Sequence, residues 1–205
     1  MSGAEIALLV IVIVGVIVAI LSRLARRLDA LHKRVVNSLA VLDAQLVRRA
    51  QLAMDLASSG ALDEASELIV AEAAWGAGIQ GERLVGADPS REAPNLGELA
   101  AMSTSGGIDR SVAESQLTVA LRTALGDGED RRAIAGHPQG EQILSDLEVT
   151  CNRVQLARRF HNDAVESVHK LRGRWIVKTA RLAGRAALPH TFEMDDGVFN
   201  EVKAQ

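Results

Sequence analysis

From Ile6 to Leu21 the chain reads IALLVIVIVGVIVAIL, 16 residues without a charge or a polar side chain. No other feature restricts the fold as much. As a helix this run rises roughly 24 Å, a little short of a hydrocarbon core of about 30 Å. Ala4 and Ser22 extend it at low cost, and Arg23, Arg26 and Arg27 stand where they can snorkel to lipid headgroups. A cleaved signal peptide wants a basic leader and a small-residue cleavage site. Here the leader carries Glu5 and no Lys or Arg, and the run ends in bulky Ile20 and Leu21. Residues 1–22 therefore read as a retained, single-pass anchor in the cell membrane. Arg23, Arg26, Arg27, Lys33 and Arg34 crowd its far flank against Asp29 alone. The positive-inside rule then puts the N-terminus outside and the rest of the chain in the cytoplasm. Gly15 and Ala19 form a small-xxx-small pair, the expected transmembrane contact between helices.

Beyond the anchor the apolar period is helical. Leu24, Leu28, Leu31, Val35, Leu39, Leu42, Leu46, Ala50, Ala53 and Ala57 recur at steps of three and four, close to an eleven-residue repeat. Such a stripe runs nearly straight along a helix that continues the anchor and ends at Ser58, Ser59 and Gly60. A second helix is expected over about 63–75 or a few residues beyond. The Gly-, Ser- and Pro-rich stretch from 76 to 107 reads as loop, with a short helix near 96–102. A third helix spans about 109–125, a turn-rich link covers 126–140, and a long fourth helix runs from about 141 to at least 175. Ile143, Leu147, Val154, Ala157, Ala164, Val168 and Leu171 mark its inner face, with Cys151 and His161 between them. No segment alternates with period two. The expected fold is all-α: a transmembrane helix continuing into an up-down four-helix bundle with long antiparallel helices. The bundle covers 23–188 with a loop-rich insertion at about 76–108, and an acidic tail covers 189–205.

Two stretches carry a family resemblance. Arg34-Val-Val-Asn37-Ser38-Leu39 leads to Asp43-Ala-Gln45-Leu46-Val-Arg48-Arg49. Later, Leu147-Glu148-Val-Thr150-Cys-Asn152-Arg153-Val154 precedes Ala157-Arg158-Arg159-Phe160-His161-Asn162-Asp163-Ala164-Val165. In order, spacing and preceding anchor they resemble the LemA family, bacterial proteins with an N-terminal transmembrane helix and a cytoplasmic helical bundle. Leu188-Pro189 to Phe192-Glu193 is similar to the segment that ends that domain. The chain departs from the pattern at Ala50-Gln51-Leu52-Ala53-Met54, where members usually carry a proline. The resemblance implies no established enzymatic activity. Family genes often neighbour a membrane metalloprotease gene, which implies an alternative role as an accessory or regulatory factor in membrane quality control.

The remaining motifs point away from chemistry. Gly76-Ala-Gly78-Ile-Gln-Gly81 matches a dinucleotide fingerprint but follows a helical pattern instead of a strand, so it reads as a helix end. The five histidines have no zinc spacing, and His161 and His169 lie eight apart on one helix. Asp195-Asp196 are adjacent and face apart, which excludes an acid/base dyad. The single Cys151 packs as a small hydrophobe, and one cysteine fits a reducing compartment. A net charge of −3 with five aromatic residues gives nothing for nucleic acid to bind. No catalytic, metal or cofactor site is expected. Asn152-Arg153 and Asn162-Asp163 recur at helical spacing and are expected to fix register across helices. Lys170, Arg172, Arg174, Lys178, Arg181 and Arg185 form a basic run around Trp175 with no acid among them. With Arg23, Arg26 and Arg27 they make the expected membrane surface. The implied partners are membrane lipid, further copies of the chain in a homo-oligomer, and a membrane protein.

Overall fold

The computed structural model describes residues 3–85, 96–179 and 188–197, with the backbone alone over 80–85, 96–109 and 178–179. The described residues form six helices and no strand: α1 (Gly3–Ser58), α2 (Glu64–Val85), α3 (Leu96–Leu125), α4 (Gly128–Ala135), α5 (Gly140–Arg172) and α6 (Trp175–Thr179).

α1 is one unbroken helix of 56 residues, about 84 Å long. Its first third packs against no other described residue of the chain. Ile6 to Ile20 are all exposed, and this helix is long and apolar enough to cross a membrane. From Leu28 onward it buries the expected stripe, with Leu42, Ala53 and Leu56 fully enclosed. The helix stops where Ser58 and Ser59 turn their hydroxyls back to carbonyls and Gly60 takes a left-handed φ of 70°, a conformation that costs other residues more. Asp63 then caps α2, accepting from the amides of Ala65 and Ser66.

α5 returns along α1. His161 meets Ser38; ten residues further along α5 Leu171 packs on Leu28, ten residues back along α1. That is antiparallel pairing in constant register. α2 packs on α1, and α3 packs on α2. At the far end Ala50 to Ala57 of α1 share a core with Val70, Ala74 and Ala77 of α2, Leu117 to Leu125 of α3, Ile134 of α4, and Leu147 and Cys151 of α5. Towards the apolar N-terminal segment the core narrows to α1 and α5, where Val35 meets Ala164, Val165 and Val168.

Four expectations need correction. The stretch read as loop is helical over 76–85 and 96–108, so α2 runs through Gly76 and Gly78. Each glycine costs about 1 kcal/mol in a helix, but Ala77 is 1% exposed in the core, and tertiary packing outweighs propensity. The link at 126–140 holds α4, capped by Asp127 accepting from the Glu129 amide. The fourth long helix breaks at Gly173, whose amide closes on the His169 carbonyl, and resumes as α6. Finally, 188–197 is a docked strap on the helices where a tail was expected.

Candidate functional site: the strap and the α6 end

α3 and α5 share little direct packing, and the strap lies between them. Extended chain must satisfy its backbone groups without a sheet, and here side chains do it. Asn162 of α5 accepts from the Phe192 amide at 2.9 Å and donates to the Phe192 carbonyl at 3.3 Å. Gln155 donates to the Asp196 carbonyl and His169 contacts the Pro189 carbonyl, both at 2.8 Å. On α3, Thr118 donates to the Asp195 carbonyl at 2.7 Å, and Arg122 donates to the Gly197 carbonyl at 3.1 Å. The two acids do face apart: Asp195 pairs with Arg122 at 2.6 Å and Asp196 with Arg158 at 2.7 Å. Phe192 sinks between Leu42 and Leu46 of α1 and Val154 and Ala157 of α5.

Beneath the strap lies a cluster of charge. Arg49 of α1 and Glu114 of α3 pair at 2.7 Å with both side chains fully buried. Arg49 also donates to Thr118 and to the Glu114 carbonyl. Arg110 donates to Glu114 at 3.0 Å and approaches Asp43 at 2.9 Å. That last contact is close but poorly aligned, so Asp43 Oδ1 and Arg110 Nη1 lack a hydrogen-bond partner among the described residues. Burial pushes the Asp43 carboxyl up, Arg110 pulls it back, and Glu114 adds a smaller push. Two cations and two anions balance in the interior, with Asp43 at its edge. Sequence reasoning misses this cluster: Arg49 reads as half of an Arg-Arg pair, and its partners lie more than 60 residues away.

Burial shifts the other buried titratable groups towards their neutral forms. Burial pushes the Cys151 thiol up to about 11 against the opposing pull of Arg49, so it holds its proton and is a poor nucleophile. Burial lowers His161, while the carbonyls of His190 and Val35 work the other way. His32 is lowered by burial and then by Arg172, against Asp29. His161 faces Ser38 and His169 faces Pro189, so they do not converge. Among the described residues no three His, Cys, Asp or Glu side chains gather around one point. Asn152, Arg153 and Asp163 are exposed, and Asn162 makes specific contacts with the strap. It holds the strap, not helix register, because its amide pairs with both backbone groups of Phe192.

At the other end, α6 comes back to the base of the apolar segment. Val177 is 2% exposed and packs with Leu24, Leu28 and Leu171. This brings Lys170, Arg172, Arg174 and Trp175 level with the turns that carry Arg23, Arg26 and Arg27. The three anchor-flank arginines and Arg174 are exposed, and Trp175 is 74% exposed. Lys170 forms a solvated pair with Glu166 at 2.8 Å. The side chain of Lys178 and all of Arg181 and Arg185 lie outside the described residues. Gly15 and Ala19 are exposed, and a Cβ on Gly15 meets nothing within 4 Å.

Comparison of the chain with family models, curated proteins and solved structures finds no match. Fold and site define a class: an all-helical protein with one N-terminal helix of membrane-spanning length and an internally strapped helical body.

Proposed function

We propose that this chain is a single-pass membrane protein, N-terminus outside, whose cytoplasmic helices form a non-enzymatic, self-assembling scaffold on the inner face of a bacterial membrane. In this reading it is a divergent relative of the LemA-like proteins, and its helices follow an up-down bundle plan. The observation that carries it is the return of α5 and α6 to the base of the apolar helix. Val177 packs against Leu24 and Leu28, and Trp175 with its neighbouring cations stands beside the arginine flank of the anchor. An exposed indole among cations suits an anionic headgroup layer. A helical body joined to its anchor by one continuous helix is held at fixed height, as a scaffold requires.

Trp75→Phe leaves Trp175 as the one indole in the chain. In full-length protein reconstituted in nanodiscs, its emission should shift to the blue in anionic lipid relative to neutral lipid. Spin-labelled headgroups should quench it. Changing Lys170, Arg172, Arg174, Lys178, Arg181 and Arg185 to Gln should remove both effects. Emission that is indifferent to lipid charge and to the quencher sinks the reading.

A further inference from the structure

Two exposed stripes on different helices have the same spacing and opposite charge. On α2, Leu68, Glu72, Trp75 and Ile79 follow at steps of four, three and four; on α5, Val149, Arg153, Leu156 and Phe160 do the same. Those steps keep four side chains on one helix face. The six apolar members are between 44% and 69% exposed. Glu72 and Arg153 are exposed as well and join no ion pair among the described residues. Large side chains in a row on a water-facing helix mark a contact surface more often than chance exposure does.

The stripes lie on opposite sides of the body. α5 and α2 each pack on α1, α3 packs on α2, and the strap closes the gap between α3 and α5. In that ring the α5 stripe is on the flank away from the strap, and the α2 stripe points away from the α1–α3 core. Both helices run towards the anchor, so the stripes point the same way. They also stand at the same height. Glu72 is eight residues beyond the start of α2, which the short turn sets level with Ser58. Arg153 is eight residues before His161, which is level with Ser38. The two charges are thus within about one helical turn, about 6 Å, of each other in height.

We infer that the α2 stripe of one copy docks on the α5 stripe of a second copy, with Glu72 facing Arg153. This rests on the self-assembling, membrane-anchored reading and names its interface. Equal spacing, direction and height, with complementary charge, select a second copy of this chain over any other partner. Anchors in one membrane already hold two copies at matching height. The contact is heterologous, so repetition builds arcs or rings in the membrane plane.

Ala65 and Ser145 extend the two stripes by one step each and are exposed, so cysteines there leave the charge pair intact. In a Cys151→Ala background, one tagged chain carries Ala65→Cys and a differently tagged chain carries Ser145→Cys, coexpressed at full length. A short thiol crosslinker applied to membranes should give a mixed-tag dimer that neither chain gives alone. Adding Glu72→Arg to the first chain should lower the yield several-fold, and Arg153→Glu on the second should restore it. A dimer from Ala65→Cys alone, a crosslink to some other protein in its place, no dimer in the membrane fraction, or failure of the rescue overturns the docking. A mixed dimer recovered from a soluble fraction keeps the docking and overturns the anchor.

Discussion

Among the described residues Arg49, Glu114, Arg110 and Asp43 are the charged groups that cost most to bury. Desolvating an ion costs several kcal/mol, which its partners repay only while all are present. Glu114 meets Arg49 with one oxygen and Arg110 with the other. Glu114→Gln keeps the shape but turns one acceptor into a donor facing a guanidinium and strands a positive charge. Chemical denaturation should read a loss of about 3–5 kcal/mol; a change below about 1 kcal/mol means the cluster is wetter than its geometry. A second residue-scale effect is set by pH. His161 and His32 are held below the ordinary histidine value of 6.5, chiefly by burial. Protons then bind the unfolded chain first, so their stability contribution is full above 6.5 and is lost as pH falls through the lower folded values. Asp43, raised by burial, works in the opposite sense because its native form takes up a proton more readily. The melting temperature of wild type should therefore fall between pH 7 and pH 5, and His161→Gln should flatten that slope whatever it does to stability at pH 7. Parallel slopes would clear His161 of the effect.

Among elements the strap is the least like its neighbours: extended, without a helical period, and held by side chains. Phe192 supplies its apolar contact with α1 and α5, and Asn162 supplies a two-point backbone clamp. Phe192→Ala should cost about 3 kcal/mol. Asn162→Ala should cost less and should speed amide exchange at Phe192, whose proton it accepts. Unchanged exchange there would assign the strap's hold to its ion pairs with Arg122 and Arg158. Elements of this kind divide what is legible in the sequence from what is not. The α1 stripe from Leu28 to Ala57 is legible because one face stays apolar through every turn. The inner face of α5 is legible for the same reason, while Gly76, Gly78 and Gly106-Gly107 conceal helices whose support comes from distant packing or from an existing helix. The strap leaves only Leu188-Pro189 and Phe192 as signals, and a lone aromatic does not say which groove it fills. The charge cluster is illegible because Asp43, Arg49, Arg110 and Glu114 look like surface residues until the chain brings them together.

At the scale of the whole molecule, one rod governs everything. α1 is continuous from the apolar segment into the core, so on the proposed reading the orientation of that segment decides the compartment of the helical body that follows it. Arg23, Arg26, Arg27, Lys33 and Arg34 follow the apolar run and Glu5 precedes it. Cations within about 15–20 residues of a membrane-spanning end dominate the choice of topology, so these five, and not Arg172 or Arg174 far along the chain, carry the expected orientation. In a Cys151→Ala background, a cysteine at Gln205 in intact cells should ignore a membrane-impermeant thiol reagent and label once the cells are opened. A Ser2→Cys chain should label already in intact cells. The two sites control for each other, because a reagent that simply fails to reach the surface leaves both unlabelled. Labelling of the Gln205→Cys chain in intact cells would place the charge cluster, the strap and both stripes outside, and with them any partner proposed on the cytoplasmic side.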